Sequence, residues 1–187
     1  MPLVIKGSSS GQVTVDVPAA AGTNTLTVPA ETGTVVTKDS NGIMVNATQP
    51  AFSVTPSSDQ DNATGGGTAA TVVFGTEIFD KNGDFASNTF TAPVTGTYFL
   101  NAIVKCHDHT TGMTTGRMTI VTSNRSYLHE FDPAENISGS GEGAFAVTAV
   151  ADMDAADTAT VVFQIYDATD VVDIAAANTT FQGFLLG

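Results

Sequence analysis

Two histidines with a single residue between them, His107-Asp-His109, are the sharpest chemical feature of the sequence. On an extended strand, residues two apart share a face, so both imidazoles can reach one cation. The pair runs straight into Thr110-Thr-Gly-Met-Thr-Thr-Gly116, which reads as a loop, and a solvated loop is the plainer reading of the whole stretch. Asp80-Lys-Asn-Gly-Asp84 copies the opening of an EF-hand type calcium loop. Phe85 stands where that loop needs Gly at its sixth position, and Thr91 where it needs Glu at its twelfth. The Asn82-Gly83 pair is explained by a tight turn. Two further acidic groups offer oxygen ligands: Asp152, Asp154 and Asp157, then Asp167, Asp170 and Asp173. The candidate metal set is therefore His107, His109, Asp167 and Asp170, with wet turns as the plain alternative. Cys106 is the sole cysteine, which excludes an internal disulfide and a cysteine-based zinc site. It continues an apolar row and reads as a small buried hydrophobe, not a reactive thiol. The sequence contains no Gly-x-Ser-x-Gly elbow, phosphate-cradling loop or His-Glu-x-x-His helix. It reads as a non-enzyme without a cofactor, a calcium ion excepted.

The elements that hold these residues follow from composition. Six basic residues face nineteen acidic ones among 187, a net charge of −13. Phosphate-binding surfaces need clustered Lys and Arg, so nucleic acid is excluded as a partner, and docking on anionic lipid with it. Only 13% of residues are charged, and Gly, Thr, Ala and Val crowd the chain. Blocks of Glu, Lys and Leu that would build helices are missing, which leaves an all-β protein. The opening Met1-Pro-Leu-Val-Ile-Lys6 has no basic segment followed by a long apolar run, so no secretory signal is expected, and no stretch is long enough to insert in a membrane. Asn46, Asn62, Asn124, Asn136 and Asn178 begin Asn-x-Ser/Thr triplets. Without an export route these are by-products of a Thr- and Asn-rich composition.

Aromatic residues divide the chain. All eleven Phe and three Tyr lie from Phe52 onward. Aromatic rings supply much of the area that a small core buries, and a segment without them must borrow its core from neighbouring copies or another protein. Residues 1–44 form such a segment, with β character. Val13, Val15 and Val17 alternate with Thr14 and Asp16, and Leu26 and Val28 alternate with Thr25 and Thr27. These five apolar residues are the candidate anchoring set. Residues 45–187 form the globular part. Its longest alternating run puts Tyr98, Leu100, Ala102, Val104 and Cys106 on one side and Thr97, Phe99, Asn101, Ile103 and Lys105 on the other. Large apolar groups on both faces fit a central strand lying between its own core and a neighbour. Shorter alternating runs follow around Met118, Phe145 and Phe163, and Phe181-Gln-Gly-Phe-Leu-Leu186 closes the chain. Short strands with frequent turns mean a sandwich or barrel.

Two resemblances sharpen this reading. Gly7-Ser-Ser-Ser-Gly11, Val13-Thr-Val-Asp-Val17, Ala21-Gly-Thr-Asn-Thr-Leu-Thr-Val-Pro-Ala30 and Thr32-Gly-Thr-Val-Val36 resemble the N-terminal repeats of fibre proteins of tailed bacteriophages. In the globular part, Phe74, Asp80, Phe85, Phe90 and Gly96-Thr-Tyr98-Phe-Leu100 are spaced as in the signature of the complement C1q globular-head family. Pro50-Ala-Phe-Ser53, Phe90-Thr-Ala-Pro-Val94 and the closing Phe181-Gln-Gly-Phe-Leu-Leu186 support it in the right order over residues 49–187. The gap from Phe85 to Phe90 is short, and Leu100 stands where the family usually has Phe; neither change breaks an alternating row.

The second resemblance implies a jelly roll of two antiparallel sheets, as in the tumour-necrosis-factor superfamily, assembled as a homotrimer. Phe52, Phe90, Tyr98, Phe99, Phe163, Phe181, Phe184 and Leu185 are then the residues of its core and trimer interface. Some relatives bind calcium in loops, which the acidic clusters would serve. Together the two resemblances imply a virion structural protein, a short trimeric fibre or knob. Residues 1–44 would attach it to other virion proteins, and the head would face host glycan or protein. The head's contact loops are expected at Asp59–Gly67, Thr110–Gly116, Phe131–Gly143 and Asp167–Asn178. A capsid cementing trimer and a secreted lectin-like or cytokine-like module are the alternatives.

Overall fold

A computed structural model describes residues 3–6, 8–15, 22–23, 25, 46, 48–136, 138, 141–166 and 170–186. The chain divides into two compact units, 1–44 and 45–187.

In the first unit, β1 (Leu3–Lys6) and β2 (Gln12–Val15) form an antiparallel hairpin, with Ile5 opposite Val13 and Val4 opposite Thr14. Gly11, at φ +79°, takes the left-handed turn into β2, a conformation that favours glycine. Val4, Ile5, Val13 and Val15 are all exposed. A two-stranded hairpin on its own is marginal in water. Val17, Leu26 and Val28 lie outside the described residues.

The second unit is a sandwich of thirteen strands among the described residues, with no α-helix there. They are β3 (Ala51–Thr55), β4 (Gln60–Thr64), β5 (Ala69–Thr71), β6 (Thr76–Asp80), β7 (Phe85–Ala86), β8 (Thr89–Thr91) and β9 (Gly96–His107). There follow β10 (Thr115–Thr122), β11 (Ser126–Phe131), β12 (Gly143–Met153), β13 (Thr158–Tyr166), β14 (Val172–Ile174) and β15 (Thr180–Leu185). One sheet runs β12-β9-β15-β3-β6, with β14 and then β4 joined to the far end of β9. The other runs β11-β10-β13-β8-β7, with β5 beside β13. Every described pairing is antiparallel, as a jelly roll requires.

The core lies between the sheets. Tyr98, Leu100, Ala102, Val104 and Cys106 project from β9 into it and are fully buried, as their alternation predicts. Met118, Ile120, Val161, Phe163 and Ile165 meet them from the opposite sheet. Phe52 organises one end, with its ring stacked on Phe90 at 4.6 Å and edge-on to Phe181 at 5.0 Å. Phe131, half-buried, stacks on Phe145 at 3.7 Å near the other end. Gly183 belongs to the packing: a side chain there would come within 2.7 Å of Leu100 and 2.9 Å of Phe52.

Three sequence expectations need correction. The Thr110–Gly116 stretch is not simply a wet loop: Met113 is fully buried in the core and its carbonyl accepts the Ala134 N–H at 3.1 Å. The expected loops at Asp59–Gly67 and Asp167–Asn178 contain β4 and β14, which pair with each other. β4 escapes the hydrophobic pattern because it is an edge strand reading Gln-Asp-Asn-Ala-Thr, in which Gln60, Asp61 and Asn62 are exposed or half-exposed and the buried residue is the polar Thr64. β14 is only three residues long, too short for period two to show.

Candidate self-association face and loop depression

The outer face of the β12-β9-β15-β3 sheet is built in rungs. Strand register sets Val150, Phe99, Phe184 and Ala51 side by side. The next rung is Thr148, Asn101, Gln182 and Ser53; the third is Ala146, Ile103 and Thr180; then come Ala144 and Lys105. Phe99 and Phe184 contact at 5.2 Å between ring centres, and Phe184 is 43% exposed. Phe79 joins from β6, opposite Ser53, and with Phe99, Phe184 and Gln182 it rims a recess of about 190 Å³. Leu185 is half-buried against the core and Leu186 is exposed.

Charge is sparse on this face. The four rungs carry no carboxylate, and their one charged side chain, Lys105, pairs with Glu142 at 3.3 Å. Asp152, paired with Arg125 at 2.8 Å, marks one end. His107, 3.2 Å from Glu142, marks the other. The expected core and interface set thus splits by alternation. Phe52, Phe90, Tyr98, Phe163 and Phe181 fill the sandwich, Leu185 packs half-buried against it, and Phe99 and Phe184 turn toward the other side of the sheet.

The two histidines do not share a site. Asp108 adopts φ +66°, which ends the extended geometry that would align its neighbours. His107 stays on the Glu142 side. His109 turns inward, 5% exposed, with Nε2 3.4 Å from Cys106 Sγ and its ring edge-on to Phe145. Its backbone N–H donates to Gly141 O at 3.0 Å. Burial lowers the His109 pKa and raises that of the Cys106 thiol, so both groups stay neutral near pH 7. Cys106 is the inert buried hydrophobe that its row predicts.

Above His109 lies an open depression of about 650 Å³, lined by Asn62, Asp108, Thr110, Gly141, Asp170 and Val171. Asp170 thus lines the same depression as His109, and Asp167 lies outside the described residues. Other carboxylates accept hydrogen bonds from the chain around them. Asp80 accepts the Asp84 N–H at 3.1 Å and the Phe85 N–H at 2.8 Å, closing the turn that mimics a calcium loop. Asp157 accepts the Asp154 N–H and the Asn124 amide, and Asp173 accepts the Asn62 N–H at 2.6 Å. Among the described residues no three His, Cys, Asp or Glu side chains are grouped to hold a metal.

Sequence reasoning missed the polar rung. Alternation alone assigns Asn101 to the outer row, but its neighbours Thr148 and Gln182 lie 47 and 81 residues away and are fixed only by register.

No family model matches the chain, and no curated protein matches it in sequence. Solved structures do. Two crystal structures of murine APRIL each align with 74% of this chain and 99% of their own, at 15% and 14% identity, with TM-scores of 0.53 and 0.51. The globular domain of zebrafish complement 1qA protein aligns over 74% of this chain and 98% of its own, at 19% identity and a TM-score of 0.43. The APRIL likeness shows the fold: the second unit is a jelly roll like that of murine APRIL.

Proposed function

We propose that this chain is a non-enzymatic virion structural protein of a bacteriophage, a short fibre or knob made of three copies. The head self-associates through the β12-β9-β15-β3 face. Residues 1–44 attach the assembly to other virion proteins. The free loops present a surface to host glycan or protein.

The observation that carries self-association is the charge pattern. The first 44 residues hold Lys6 and Lys38 against Asp16, Glu31 and Asp39, so the head bears −12 of the −13 total. Copies of such a head repel one another almost everywhere. The rungs around Phe99 and Phe184 are free of carboxylates and present an exposed Phe184 beside a half-buried Phe99, so the repulsion is weakest where the apolar gain is largest. Closed symmetry is the usual outcome for homo-oligomers, and the C1q-like fold favours a threefold one. The attachment role rests on the hairpin. Its Val4, Ile5, Val13 and Val15 are exposed, and the segment resembles repeats that fibre proteins carry at their N-termini.

The test is the mass in solution of the full chain and of residues 45–187 alone. Three copies in both cases are expected; monomers in both at micromolar concentration overturn the reading. Imaging of purified particles then separates fibre from cement. Copies on the tail or neck support a fibre, and copies at shell vertices or local threefold points support cementing.

A further inference from the structure

Between apolar rungs of the face lies a polar one, and its bonds run sideways across three strands. Asn101 Nδ2 donates to Thr148 Oγ1 at 2.8 Å, and Gln182 Nε2 donates to Asn101 Oδ1 at 3.3 Å. These bonds leave capacity over. Gln182 retains its carbonyl oxygen and one amide hydrogen, Asn101 one amide hydrogen, and Thr148 its hydroxyl hydrogen. Water satisfies these groups on a single chain. A surface that covers the face must satisfy them itself or leave polar groups stranded. It must also offer apolar groups on both sides, to meet Phe99 and Phe184 on one and Ile103 on the other. A carboxylate-rich surface supplies acceptors only. A second copy of the same face supplies donors, acceptors and apolar rows, because a primary amide is both donor and acceptor.

We propose that the Thr148–Asn101–Gln182 rung fixes the register and copy number of the homo-oligomer, with the amides of one copy bonding to the same rung of the next. The inference rests on the self-association reading. The apolar rungs supply the attraction but tolerate sliding, since rings and aliphatic groups pack in many offsets. A slipped arrangement would set Asn101 and Gln182 against Phe99, Phe184 or Ile103, with their amides unpaired. One buried amide layer sets register in coiled coils by the same penalty.

Two experiments on the full chain test it. In the first, Gln182→Cys is treated with a short bis-maleimide. Cys106 is buried and does not compete, so cross-linking reports on position 182 alone. Covalently linked copies are expected, while Leu128→Cys, exposed on β11 of the other sheet, stays unlinked. An oligomer that fails to link through position 182 overturns the proposal. In the second, Asn101→Leu with Gln182→Leu is weighed by native mass spectrometry. Both side chains lie outside the sandwich core, so the head folds. More than one oligomer mass is expected where the parent shows one. A single mass equal to the parent's overturns the register role. So do monomers with the parent's circular dichroism, because the rung would then supply affinity and not register. A parent that is itself monomeric overturns the self-association reading instead, which separates the two failures.

Discussion

Tyr98 carries a polar atom into the sandwich and finds one partner there: its hydroxyl donates to Val94 O at 2.7 Å while the ring is fully buried. Tyr98→Phe keeps the ring and removes the bond, leaving the Val94 carbonyl short of a donor. A loss of about 1 kcal/mol is expected, read as a lower denaturant midpoint with unchanged slope. His109 makes the opposite bargain, an imidazole held neutral by burial beside Cys106 and Phe145. Burial lowers its folded-state pKa. The unfolded chain therefore takes up a proton first as pH falls below about 6.5, and stability drops from there downward. The expected outcome is a declining unfolding midpoint between about pH 7 and pH 5, and a shallower decline in His109→Gln, which does not titrate. Equal slopes in the two proteins would mean that groups other than His109 set the acid response. Histidine spacing told little of this: two residues apart on a strand meant one face, and the left-handed Asp108 reversed it.

At the scale of elements, legibility follows from pattern length. β9, with twelve residues, shows its buried and outer rows directly in the sequence, and β13 repeats the alternation over nine. β4, β5 and β14 have five residues or fewer and polar or short patterns, so they emerge only when longer neighbours hold them. β15 joins both kinds of information. Its period places Phe181 inward and Phe184 outward, yet nothing in the sequence says that Gly183 sits against Leu100 and Phe52. Gly183→Ala forces a methyl into a space with neighbours at 2.7 and 2.9 Å, where the Leu100 and Phe52 side chains and the Phe99 carbonyl close in. Overpacking of this kind costs about 1–3 kcal/mol. Thermal unfolding of residues 45–187 checks it, and an unchanged midpoint would show that β15 shifts outward without penalty.

At the scale of the whole molecule, charge and apolar area pull against each other, and salt separates them. The head's −12 opposes association, while the proposed contact face holds Phe99 and Phe184 and no carboxylate in its rungs. Raising ionic strength from about 0.1 to 1 M shortens the screening length from about 10 Å to about 3 Å and weakens only the repulsion. Association should therefore tighten with added sodium chloride; an interface held by ion pairs between copies would loosen. Phe184→Asp attacks the same balance from inside. It removes the burial of one ring, worth about 1.5–3 kcal/mol, and sets a carboxylate into a desolvated contact. Association weaker by more than about a hundredfold is expected, because each 1.4 kcal/mol is about tenfold. Phe184 lies on the outer side of its strand, 43% exposed, so the isolated head keeps its fold and its circular dichroism. Sedimentation equilibrium of the parent and the variant at both salt levels measures both effects. A variant that assembles like its parent would place the contact between copies on some other surface of the sandwich.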